Sequence, residues 1–379
     1  VSALPAAAYA AALAGFERMS LHRLLALLRH HSPLHAFEIA AGTADPPSAG
    51  LIAKVLAQDE VREAWVRSAR RDPAEVWERC VELGVEVTHL GHPDHPAILV
   101  ADPLPPPVLF TKGDRGLLDG RRVALVGTRN ATAAGRHVAR TFGDGLAQAG
   151  VHVVSGLARG IDGHAHAGAL EAVHRESSGR PIAVVASGLD VVYPLEHRRL
   201  WREVGEVGLL LSESPPGAAP VAHMFPQRNR LIAALSEIVV VVESRERGGS
   251  LITASLAAER GVPVMAVPGS ATSRAALGVN ALLRDGSPPA VDVADVLMAL
   301  SIDHRRAGGE TSELRPRPRR DDVGVYRACV ERSSTIGELV ERTGRPLVEV
   351  AMALARLEQA GWLDQVDGWF EPVGRPLSA

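Results

Sequence analysis

Four stretches of the chain carry the residue types needed to hold an anion. In VALVGTRNATAAGRHVA (123–139) an apolar run ends in Gly127, Thr128 and Arg129 and leads into a helix-forming segment. Backbone amides at a helix start attract phosphate, and an arginine can grip one with two parallel hydrogen bonds. SGLARGIDGHAHAGAL (155–170) contains Gly156, Gly160 and Gly163, which permit a tight turn and close backbone approach to a ligand. In ESRERGGSLITASLAAERG (243–261), Gly248, Gly249 and Ser250 precede a helix with Thr253 one turn in and Arg245 and Arg247 close by. FPQRNRLIAAL (225–235) reads as a helix opening at Pro226, with Arg228 and Arg230 in its first turn. Cations at that positive end of the helix dipole are unfavourable by roughly 0.3–1 kcal/mol each. A bound phosphate relieves that charge, and Phe225 beside it offers a stacking surface for a base.

Each stretch also has a plainer reading. The first can be a tight strand–helix turn with a surface arginine, and Arg228 and Arg230 can pair with acids such as Glu213 or Glu243. Asp162 and His166 share a helix face with His164 nearby, but no further ligand cluster accompanies them. Helix capping and an Asp–His hydrogen bond are therefore expected there, and no metal. The chain has neither a G-x-G-x-x-G fingerprint nor a Walker A sequence, so dinucleotide binding and ATP hydrolysis are not expected. Three anion-ready helix starts on one sheet edge describe a surface that tracks a run of phosphates, as a nucleic-acid backbone provides.

The elements that must position these turns are legible as short apolar runs. VALV (123–126), VHVV (151–154), IAVVA (182–186), LLL (209–211), IVVVV (238–242) and VMAV (264–267) alternate mostly with helix-length segments. Strands apolar on both faces belong to a parallel sheet covered on both sides, and such sheets bind ligands at the carboxyl ends of their strands. The expected fold class is α/β, a Rossmann-like, doubly wound, mainly parallel sheet over residues 121–300. Residues 1–85 read as a helical, helix-hairpin-like domain, with Ser20 as an N-cap. Residues 86–120 read as an extended, Pro-rich connection with a single short strand at 108–111, and residues 301–321 as a flexible linker. Residues 322–379 give three helical segments and a hairpin around Asp367-Gly368, the pattern of a winged helix.

Composition narrows the setting. The chain has 379 residues, 46% of them hydrophobic, so it can bury a sizeable core. Cys80 and Cys329 are its two cysteines, which supply no disulfide framework and point to a reducing, cytoplasmic compartment. No apolar run approaches a membrane span, and the Ala-rich start lacks the basic region of a signal peptide. Net charge is −3, but residues 121–290 carry +4 while residues 1–120 and 321–379 carry −4 each. The cationic middle calls for an anionic partner. The tail's recognition-helix segment holds Glu349 and Glu358 against Arg356, which favours contact with protein over insertion into a duplex groove.

The same passages carry a resemblance. VGTRNATAAG, VVSGLARGIDGHAHAGAL, ASGLDVVYPLEHRRL, SESPPG, FPQRNRLIAALS, VVVVESRERGGSLITASLAAERGVPVMAVPG and LGVNALLRDGS occur in family order from about Arg121 to Ser287. In these the chain resembles the DprA (Smf) family of DNA-processing proteins. The resemblance implies a cytoplasmic, non-catalytic protein without a cofactor that binds single-stranded DNA through the Rossmann-like domain. It also implies help in loading the RecA recombinase onto that strand during DNA uptake and recombination, and a homodimer formed through the same domain. Carried over by motif, Arg129 with Gly127 and Thr128 is expected to meet phosphate. Gly156, Arg159 and Gly160 are expected beside it. Phe225, Arg228, Asn229 and Arg230 are expected to line the DNA path, flanked by Gly248, Gly249, Ser250 and Thr253. Thr128 and Gly248 stand where the family commonly has Ser, and no Lys precedes Phe225. An alternative from a different class is a nucleotide phosphoribohydrolase on a related core. Such enzymes need a carboxylate just after the glycine-rich loop, where this chain has Ala254, Ser255 and Leu256, with Glu259 too far along.

Overall fold

The computed structural model describes residues 4–300, 315–366 and 368–373. Six helices come first: α1 (Ala6–Ala14), α2 (Leu21–His30), α3 (Pro33–Ala41), α4 (Gly50–Leu56), α5 (Asp59–Ser68) and α6 (Pro73–Leu83). Ser20 caps α2, its hydroxyl accepting from the Arg23 amide. These helices do not keep a core to themselves. Leu13, Phe16, Leu27 and Trp65 share one apolar cluster with Phe110, Ala183, Trp201 and Leu210 of the sheet region.

The Pro-rich stretch after them is not merely a connection. It contains β1 (Glu86–His89), the short α7 (Ala97–Val100) and β2 (Val108–Gly113). β1 pairs antiparallel with β2, and β2 pairs antiparallel with a later strand, so residues 86–113 widen the sheet by two strands. The apolar run of Val108, Leu109 and Phe110 is buried on both faces, which is why it joins the sheet.

The core follows as β3 (Arg122–Gly127), α8 (Ala133–Gln148), β4 (His152–Ser155), α9 (Ile161–Val173), β5 (Pro181–Val184), α10 (Arg198–Val207), β6 (Leu209–Ser212), α11 (Met224–Ala234), β7 (Ile238–Glu243), α12 (Gly249–Glu259), β8 (Val264–Ala266), α13 (Leu277–Arg284) and α14 (Val293–Ala299). The sheet order is β1-β2-β6-β5-β4-β3-β7-β8, and all pairings from β6 to β8 are parallel. Along β3 the side chains alternate. Val123 and Leu125 enter a cluster with Phe142, Leu146 and Ile161, while Ala124 and Val126 enter another with Leu231, Ile232 and Ala254. Helices thus cover both faces, as a doubly wound sheet requires. From β3 the chain works outward through β4, β5 and β6, then returns to place β7 on the other side of β3. That reversal creates a crevice at the carboxyl ends of β3 and β7.

The tail comprises α15 (Val323–Glu331), β9 (Ser334–Thr335), α16 (Ile336–Thr343), α17 (Leu347–Gln359), β10 (Leu363–Val366) and β11 (Trp369–Pro372). Its sheet runs β10-β11-β9, and the hairpin closes with Val366 opposite Trp369. These are the elements expected of a winged helix. Asp367 and residues 301–314 of the expected linker lie outside the described residues. From Arg315 the chain already packs on the tail. The Arg315 guanidinium lies 3.6 Å from the Trp362 ring centroid, and Trp362 Nε1 donates to the Pro316 carbonyl at 2.7 Å. The linker as read from sequence therefore extends several residues too far. No helix among the described residues is long and apolar enough to cross a membrane.

Candidate functional site

A cleft of 610 Å³ opens at the crevice, lined by the turns after β3 and β7, the start of α11 and Tyr193. Gly127 closes β3 where no Cβ fits, since one there would overlap Ile161 and sit 2.9 Å from the Glu243 carbonyl. The Thr128 amide donates to that carbonyl at 2.8 Å, and the Thr128 carbonyl accepts from the Ile161 amide at 3.2 Å. Thr128 is therefore a clamp joining β7 to α9. It holds the next residue, Arg129, out over the cleft, where its guanidinium lies 4.6 Å from the Phe225 ring centroid. Arg129 is exposed and has no ion pair among the described residues.

The expected phosphate seat at the start of α8 is already filled. α8 begins at Ala133, and the Thr132 hydroxyl caps it by accepting from the Gly135 amide at 3.0 Å. The Glu243 carboxylate accepts from the Thr132 amide at 2.9 Å and from its hydroxyl at 2.7 Å. A buried carboxylate at the positive end of a helix is the charge that end favours, so a second anion is not called for.

The arginines of FPQRNR also differ from expectation. α11 starts at Met224, two residues before Pro226, so Arg228 and Arg230 fall beyond the first turn. Both are buried. Arg228 donates to the carbonyl of Gly156 at 2.8 Å and to that of Val184, and its Nε donates to Asn229 Oδ1 at 3.2 Å. Burial pushes its pKa down to about 10, against the pull of nearby Asp162. Asp162 accepts from the Gly156 amide at 3.1 Å, and burial raises its pKa. Arg230 pairs with Glu213, one of the acids considered for it. Arg228 is thus the floor of the cleft and Arg230 lies behind it, whereas Phe225 and half-buried Asn229 border the open space. The reason is reach: the long side chains find carbonyls and a carboxylate that the sequence order hides.

Gly160 stands before α9 at φ 74°, and Arg159 beside it is exposed and pairs loosely with Glu196 at 3.6 Å. Asp162 and His166 make no hydrogen bond to each other. His166 Nε2 donates to the Ile182 carbonyl at 3.2 Å, and burial pushes its pKa down to about 4. No group of three metal-ligating side chains occurs among the described residues.

The start of α12 is different from that of α8. Gly248 stands at its N-cap position with no side-chain cap, and Gly249 and Ser250 line the cleft. The first amides of a helix have no partner within it, so they are free to meet an anion. The Ser250 hydroxyl is not, as it donates to Ser244 Oγ at 2.9 Å, and Thr253 is buried. Arg245 and Arg247 are exposed at the same turn without ion pairs among the described residues. The three expected anion seats reduce to one helix start, ringed by Arg129, Arg245 and Arg247. Tyr193 was absent from the sequence-derived set. Its ring centroid lies 5.5 Å from that of Phe225, tilted by 50°, and it is exposed. The available signal was its scarcity, for the chain has three tyrosines.

Residues 86–301 match the family model of DNA recombination-mediator protein A. The chain belongs to that family. The match begins at β1, so the family region includes the two antiparallel strands. A putative DNA processing protein DprA of Mycobacterium tuberculosis is 40% identical over 255 residues, 65% of this chain and 63% of that protein, so the alignment spans less than two thirds of the relative. Protein Smf of Escherichia coli is 35% identical over 289 residues, 74% of this chain and 75% of that one. Among solved structures, DNA processing protein A of Streptococcus pneumoniae superposes with a TM-score of 0.63 at 29% identity, covering 78% of this chain and 98% of its own. DNA processing protein A of Helicobacter pylori, whose structure concerns its single-stranded DNA binding mode, gives a TM-score of 0.50 at 30% identity over 57% of this chain and 95% of its own.

Proposed function

We propose that the cleft binds single-stranded DNA, with phosphates at Arg129, Arg245, Arg247 and the start of α12, and a base against Phe225 and Tyr193. The observation that carries this reading is Arg129 poised over Phe225 beside an uncapped helix start. A cation over half-buried Phe225, with exposed Tyr193 alongside, matches strands whose bases are free to stack, and base–aromatic stacking contributes about 1–3 kcal/mol per base. That the Helicobacter relative binds single-stranded DNA supports the choice of ligand. On this reading the protein acts in the cytoplasm as a homodimer through the Rossmann-like domain and helps load RecA, without catalysis of its own.

The phosphoribohydrolase alternative is weaker. Asp162 is the carboxylate lining the cleft among the described residues, and it is held by the Gly156 amide. Photo-crosslinking of an iododeoxyuridine-substituted single strand, followed by peptide mapping, tests the assignment. Crosslinks are expected in the peptides bearing Tyr193 and Phe225. Crosslinks confined to α17 would contradict it.

A further inference from the structure

Helix α17 holds the recognition-helix place, yet its exposed stripe is the opposite of what a phosphate backbone accepts. Val348, 68% exposed, and Met352, 56% exposed, follow one another with exposed Ala355 at helical spacing. At 100° per residue, Glu349 borders this stripe on one side and Glu358 on the other, and both are exposed. The one cation of the helix, Arg356, is held by Asp322 through contacts of 2.9 and 2.6 Å. Such a face seeks an apolar surface set among unpaired cations.

The cleft is that surface. Arg129, Arg245 and Arg247 carry no ion pair among the described residues, and exposed Tyr193 and Ile252 line the cleft with Phe225. We infer that α17 docks on the cleft of its own chain, with Glu349 and Glu358 in the places of DNA phosphates, so that tail and strand compete. This inference rests on the cleft being the single-stranded DNA site. Two faces carried on one chain meet without a second bimolecular encounter, an advantage no separate basic protein has.

The test is a DNA titration of the full chain by fluorescence anisotropy. One variant is Val348→Ser with Met352→Ser, which changes no charge. A second is Glu349→Gln with Glu358→Gln. A third, Glu341→Gln with Glu371→Gln, removes the same charge from elsewhere on the tail. The first two are expected to bind single strands about three- to tenfold more tightly, the factor expected when a third to a tenth of clefts are free. The third is expected to match the wild type. Unchanged affinity in the first two overturns the docking. So does weaker binding, which would make α17 a DNA contact, or an equal gain in the second and third with none in the first, which would be bulk charge alone. Absence of DNA binding in the wild type and every variant instead removes the single-strand reading itself, and the docking with it.

Discussion

Arg228 Nη1 donates at 2.8 Å to the carbonyl of Gly156, which lies 72 residues earlier in the chain. A Cβ on Gly156 would sit 2.5 Å from that same guanidinium. The glycine is there so that a buried cation can lie flat against the backbone between β4 and α9. This contact fixes the cleft floor, and it ties the helix carrying Phe225 to the central strands.

Gly156→Ala is therefore expected to displace Arg228 from carbonyls it cannot replace. Overpacking of this kind costs about 1–3 kcal/mol. Urea unfolding should show a lower midpoint, accompanied by weaker binding of single strands. An unchanged midpoint would show that the guanidinium has room to move.

Arg230 gives the opposite separation of stability from binding. It is buried against Glu213, away from the open cleft. Arg230→Met leaves that carboxylate without its partner, at a cost of about 3 kcal/mol. Affinity for DNA per folded molecule should stay within about twofold, since a residue with no ligand contact affects K only through folding. A large loss of affinity with unaltered stability would return Arg230 to the DNA path.

The sheet was legible because strands buried on both faces leave unbroken apolar runs, and all six such runs became strands of the core. β1 was not, since Glu86-Val87-Thr88-His89 is short and mostly polar and is a strand only through β2. The turns at Arg129 and Gly248 were legible as loops between strand and helix. What occupies each helix start was not. The Glu243 carboxylate reaches Thr132 across 111 residues, and no local pattern reports that. The arginines of α11 are a like case, since the charges of Arg228 and Arg230 are met by groups remote in sequence.

Burial of His166 sets a pH dependence. Its pKa is about 4 in the fold, against an ordinary value near 6.5 when unfolded. The unfolded chain takes up the proton first, so stability that is complete above about pH 6.5 is lost as pH falls toward about 4. One such group contributes a slope of about 1.4 kcal/mol per pH unit within that window. His166→Gln should flatten the profile by that amount between pH 6 and 5. Part of the slope should persist, because burial also pushes His95 down to about 4. Identical profiles for variant and wild type would remove His166 as a source.

Phe225 is expected to act without charge. Phe225→Ala should weaken single-strand binding by about 1–3 kcal/mol while the dependence of affinity on salt keeps its slope. A flatter slope would mean that the ring acts chiefly by positioning Arg129.

The central claim is that Arg129 holds a phosphate of a single strand. The direct measurement is an anisotropy titration of wild type and Arg129→Ala with single-stranded and duplex oligonucleotides of equal length at two salt concentrations. The wild type should prefer the single strand, and the variant should bind it more weakly with a salt slope smaller by about 0.7, the loss of one phosphate contact. Equal affinity and equal slope in the two proteins would contradict the claim.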